Sequence, residues 1–86
     1  MLKAENNHHR ETIIKYNLLQ YIDYTNTIPR NKEIIKEHIK GESMSFLGKK
    51  YGLSRKTVSS MIASYVNKVS RYCAKNGIDY RKQCNN

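Results

Sequence analysis

From Val58 to Cys73 the apolar residues return at helical spacing. Val58, Met61, Ile62, Tyr65, Val66, Val69, Tyr72 and Cys73 advance by steps of three and one. Such a stripe is one face of an α-helix at least four turns long, and it predicts a helix reaching about Lys75, ended by Asn76-Gly77. It is the strongest periodic signal in the 86 residues, and either the first helix or a second copy of the chain would cover its prolonged apolar side. Breakers are scarce, with one proline (Pro29) and four glycines (Gly41, Gly48, Gly52, Gly77). The expectation is an all-α fold, a small four-helix domain. A chain this short buries about 60–65% of its unfolded surface, so its core must be economical. Doubly wound sheets, barrels and multi-domain arrangements are excluded by length.

The other helices are read from shorter signals. From about His9 to Tyr24, Ile13, Ile14, Leu18, Tyr21 and Ile22 fall on one helical stripe, with Leu19 beside them, and Thr25-Asn26-Thr27 breaks it. Ile28-Pro29 restarts the chain, since proline suits a first helical turn. A second helix over about Arg30 to Lys40 would turn Ile34, Ile35, His38 and Ile39 inward and leave Glu33, Lys36 and Glu37 on a solvated outer face, with Gly41 closing it. Ser43 would cap a third helix, about Met44 to Tyr51, with Met44, Leu47 and Tyr51 as its apolar positions and Phe46 nearby. Gly52 ends it, Leu53 follows as a buried plug, and Ser54 caps the long fourth helix. The chain thus divides as one domain over 1–86. It has an N-terminal helix within 9–27, a core over 28–65, a helical extension over 66–76 and a basic tail over 77–86, expected to be loose.

Charge separates the two halves. The total is +9, but residues 1–42 carry seven basic and six acidic side chains, whereas residues 43–86 carry nine basic ones and a single acid, Asp79. A surface facing a polyanion is therefore expected in the second half. The longest uninterrupted apolar runs are three residues, as in Met61-Ile62-Ala63 and Tyr72-Cys73-Ala74, so no segment suits a membrane span. The first ten residues hold no apolar stretch of signal-peptide length, which makes the cytoplasm the expected location.

Catalysis finds no support in the residues. Glu5, Glu11, Asp23, Glu33, Glu37, Glu42 and Asp79 are scattered, and there is neither a glycine-rich phosphate loop nor a nucleophile motif. Cys73 and Cys84 lack the paired spacing of a zinc site. Cys73 continues the apolar stripe and is expected to be buried, Cys84 exposed. His8 and His9 are neighbours that point about 100° apart on a helix, and His38 falls on an inner face. No metal, cofactor or enzymatic activity is expected. Seven tyrosines against one phenylalanine suggest stacking platforms for nucleic acid, yet Tyr16, Tyr21, Tyr51, Tyr65 and Tyr72 fall on or beside apolar stripes, where packing explains them.

Gly41 to Ile62 carries a helix-turn-helix pattern, with the unit placed at about residues 44–64. Gly48 stands where two helices approach most closely, Gly52 makes the turn, and Leu47, Leu53, Val58 and Ile62 supply a small core that sets the helices at a steep angle. Ser54 caps the second helix of the pair. Arg55, Lys56, Thr57, Ser59, Ser60 and Ser64 then line an exposed side with groups that bind phosphates or base edges in a major groove. Lys49 and Lys50, at the end of the preceding helix, would straddle the phosphate backbone.

Ile28-Pro29, Gly41-Glu42-Ser43, Gly48, Gly52-Leu53-Ser54 and Thr57-Val58 together resemble the DNA-binding fourth region of bacterial sigma factors and related small phage or plasmid regulators. The resemblance covers Ile28 to about Tyr65. Three positions depart from that pattern: Gly48 stands where alanine is usual, Ser45-Phe46 replaces an acidic pair, and the recognition helix runs on to Lys75. No polymerase-binding region of a sigma factor precedes it. The resemblance implies sequence-specific binding of double-stranded DNA by a small transcriptional regulator of a phage, plasmid or other mobile element. Alternatives are a DNA-recognition subunit of a terminase, transposase or replication machine, or a module that docks on RNA polymerase or another regulatory protein. The short hydroxyl side chains give modest readout from one monomer, so a homodimer is expected, joined in part through the first helix or the prolonged stripe of the fourth.

Overall fold

The computed structural model describes residues 8–81. All regular structure among them is helical: α1 (His8–Lys15), a 3-10 helix (Leu18–Tyr24), α2 (Pro29–Lys40), α3 (Met44–Tyr51) and α4 (Arg55–Lys75). Among the described residues, no helix is long and apolar enough to cross a membrane.

α4 is the axis of the molecule. Val58, Ile62, Tyr65, Val69 and Cys73 are buried along one side of it. α1, α2, α3 and the 3-10 helix all pack on it, α3 the most extensively. Each fully buried Val or Ile of the stripe contributes about 1.5–3 kcal/mol. Ile13, Leu18, Tyr21 and Ile22 cover the C-terminal half of the stripe, while Ile34, Ile35, Met44 and Leu47 complete the core. The Tyr65 hydroxyl donates to the Leu18 carbonyl across 47 residues, at 2.6 Å. Because the chain covers the prolonged stripe itself, Tyr65, Val69 and Cys73 offer no surface to a second copy.

The first helix departs from expectation. In place of one helix to Tyr24 there are two segments, broken at Asn17, which adopts φ 52° and ψ 48°. Asparagine tolerates this left-handed conformation better than most residues. The break turns Ile14 outward, half exposed, and brings Leu18, Tyr21 and Ile22 inward together. The five segments therefore replace the four expected helices.

Chain ends and turns are fixed by specific bonds. Arg10 Nε donates to the His38 carbonyl at 2.9 Å, tying α1 to the end of α2. The buried His38 ring donates from Nδ1 to the Glu42 carbonyl at 2.7 Å, as a packed, hydrogen-bonded ring. Beyond α4 the chain is not loose as far as Arg81. The Ile78 N–H reaches back to the Cys73 carbonyl at 2.7 Å, Tyr80 is buried and its ring meets Tyr16 edge-on at 5.4 Å. Tyr80 supplies an apolar cover that the basic composition of the tail conceals. Lys82 and Cys84 lie outside the described residues, as do residues 1–7.

The α3–α4 connection brings backbone close to backbone. Gly52 takes φ 71°, where a side chain is strained, and the Leu53 N–H returns to the Gly48 carbonyl at 2.7 Å. A Cβ on Gly48 would sit 2.6 Å from the Leu53 carbonyl oxygen, a backbone atom that cannot swing aside. Leu53 itself is half-buried against the core. Gly48→Ala is expected to lower stability by about 1–3 kcal/mol, as overpacking does, read from the urea midpoint. An unchanged midpoint would contradict this close approach.

Candidate nucleic-acid interface

Two serines set the helices of this region. Ser43 Oγ accepts the Phe46 N–H at 3.0 Å and starts α3. Ser54 Oγ accepts the Thr57 N–H at 3.0 Å and starts α4, and it shares a second hydrogen bond with Thr57 Oγ1 at 2.8 Å. Each cap satisfies a donor that the first helical turn leaves without an intrahelical partner. Ser54 and Thr57 therefore have structural work as well as exposure.

The expected contact residues do not all share one face. Lys56, Ser60 and Ser64 are exposed along one side of α4, opposite the buried stripe. Ser59 is half-buried at the edge of that side. Arg55 is exposed in the first turn, and Lys49 and Lys50 are exposed in the last turn of α3. The same side of α4 continues through Asn67, Arg71 and Lys75, all exposed. Sequence reasoning centred on the turn stopped at Ser64, although steps of three and four residues carry the face onward. Two surface recesses, one around Ser70 and Tyr80 and the other around Glu11 and Tyr16, contain none of these residues. The candidate surface is an exposed helix face that neither recess includes.

Lys50 is already engaged. Its Nζ donates to Glu37 Oε1 at 2.7 Å, and the Tyr51 hydroxyl donates to Glu37 Oε2. Glu37 is thus drawn from the expected solvated face of α2 into a link with α3. Hydrogen bonds from Lys50 and then Tyr51 hold the Glu37 carboxyl below its ordinary pKa. The same bonds to Glu37 push Lys50 and Tyr51 above theirs. Two further ion pairs, Lys32–Asp23 and Lys36–Glu33, involve α2. Among the described residues, Lys49, Lys56, Lys68, Arg71 and Lys75 meet no carboxylate within 4 Å.

Other chemistry-bearing groups are accounted for by packing. Cys73 is buried, and burial pushes its thiol pKa up. Burial also raises Tyr65 and Tyr21. Among the described residues, no three His, Cys, Asp or Glu side chains come together as a metal-binding group.

The Glu37 link has a defined pH window. Its depressed pKa adds stability above the ordinary carboxylate value, lost as pH falls through the lower folded value. The raised Lys50 and Tyr51 values add stability that is lost only as pH rises through those folded values. Urea midpoints of the wild type and of Glu37→Gln should therefore converge as pH falls below about 4 and separate near neutrality. Parallel curves would show that the link carries no stability. Comparison with protein-family models, curated proteins and solved structures finds no match to this chain.

Proposed function

We propose that the protein is a sequence-specific double-stranded DNA-binding regulator in which α3 and α4 form a helix-turn-helix and α4 enters the major groove. The observation that carries this reading is the exposed face of α4. It presents Lys56, Ser60 and Ser64, and no acidic residue occurs from Ser43 to Ile78. Hydroxyls serve base edges or phosphates, while the lysine meets the backbone.

The first turn of α4 adds an electrostatic argument. It holds Arg55 and Lys56 and no acid, although the positive end of a helix dipole disfavours cations by about 0.3–1 kcal/mol each. An arriving phosphate reverses that penalty, because helix N-termini and cations both attract anions. Lys49 stands one turn away at the end of α3, without a carboxylate of its own. Lys50 has a different part: bound to Glu37, it anchors α3 to α2 and holds the first helix of the pair in place.

The resemblance to the fourth region of sigma factors supports the same assignment, since its glycines and serines coincide with the turn and the two caps. Two copies on one site belong to this reading, because serine side chains give short contacts. Their mutual contact would lie away from the buried stripe of α4.

The test compares the wild type with Arg55→Ala/Lys56→Ala on duplexes of preferred and scrambled sequence, by fluorescence anisotropy. The double variant is expected to bind more weakly and to lose discrimination worth about 1–3 kcal/mol per lost base contact. Unaltered affinity and preference would contradict this use of α4, and a wild type that binds no duplex would end the reading.

A further inference from the structure

The exposed face of α4 is longer than the turn region requires. Lys56, Ser60, Ser64, Asn67, Arg71 and Lys75 are all exposed, and their spacing returns them within about 100° of the helix circumference. The order along the face is cation, then uncharged hydrogen-bonding groups, then cations. Ser60, Ser64 and Asn67 occupy the middle. Lys75 in the last turn is explained by the negative end of the helix dipole, but Arg71 a turn earlier and the half-exposed Lys68 beside it are not.

The second half of α4 is held as firmly as the first. Tyr65, Val69 and Cys73 are buried beneath it, Tyr65 is bonded to Leu18, and the chain after Gly77 folds back onto its end. Both cationic ends therefore belong to one rigid rod. The rise from Lys56 to Arg71 is roughly 22 Å, at about 1.5 Å per residue. A major groove is about 12 Å wide. Long Lys and Arg side chains leaning inward from each end would meet the two backbones that flank it.

Resting on the DNA-binding reading, we infer that α4 crosses the groove, with Arg71 and Lys75 holding the phosphate backbone opposite to the one met by Lys56. The uncharged middle then faces the bases. Asn67, with an amide that can pair with adenine in two hydrogen bonds, stands in that middle rather than beyond the site.

The test is the salt dependence of binding to one duplex, measured on the full chain between 50 and 200 mM salt. Four proteins are compared: wild type, Lys56→Gln, Arg71→Gln/Lys75→Gln, and a charge-matched control, Arg30→Gln/Lys40→Gln, on α2. Each lost phosphate contact reduces the slope of log K against log salt by about 0.9. Arg71→Gln/Lys75→Gln should therefore lose about 1.8 from the slope and keep its sequence preference, while the control keeps the wild-type slope. A slope unchanged in Arg71→Gln/Lys75→Gln but reduced in Lys56→Gln overturns the crossing and leaves the DNA-binding reading standing. Equal losses in the control and the α4 double variant overturn the crossing too, since net charge then explains both. A wild type with no duplex binding overturns both.

Discussion

α4 buries Val58, Ile62, Tyr65, Val69 and Cys73 along one line, and every other element is positioned by covering part of that line. The consequence for function is geometric. Once the apolar side of a helix is committed to the core, the residues half a turn away must face solvent. Lys56, Ser60, Ser64, Asn67, Arg71 and Lys75 are exposed for that reason. α3 covers the N-terminal part of the stripe and, through Gly48, approaches the chain at Leu53 so closely that a methyl group would not fit. The 3-10 helix and α1 cover the C-terminal part. A core so small has no spare layer, which is why the buried ring of Tyr80 is also drawn in.

Charge is placed with respect to the same axis. On α2, Lys32, Lys36 and Glu37 each find an ion-pair partner. Exposed pairs of this kind contribute little individually. The Glu37 carboxylate differs because it receives bonds from two residues of α3. On α4, Lys56, Lys68, Arg71 and Lys75 meet no carboxylate of the described residues within 4 Å, and positive charges gathered in this way repel one another. Cations at the positive end of the helix dipole add to that tension. Hydroxyl and amide groups separate the two cationic ends of the face, and under the proposed DNA-binding reading those uncharged groups face the bases.

Much of the fold was legible in the sequence. The stripe from Val58 to Cys73 gave α4, and Ser43, Gly52 and Ser54 marked the ends of α3 and α4 because each has one strong local reason to stand there. The close approach at Gly48 was readable as well. The break at Asn17 was not, because an asparagine on the polar side of an apolar pattern looks the same whether it continues a helix or leaves it. The burial of Tyr80 was hidden for a related reason: its cover comes from Tyr16, far away in sequence. At the candidate site, exposure of Lys56, Ser60 and Ser64 followed from helical period alone. The engagement of Lys50 by Glu37 did not, since thirteen residues and a turn separate them, and only packing of α2 on α3 brings them together.

The central claim is that the basic, acid-free face of α4 reads duplex DNA. Its most direct test is selection of bound sites from a random duplex pool at near-physiological salt. The account predicts recovery of a defined motif, and two half-sites about one helical turn apart if two copies bind together. Absence of enrichment, with binding that disappears as salt rises, would contradict it and reduce the face to a nonspecific polyanion contact.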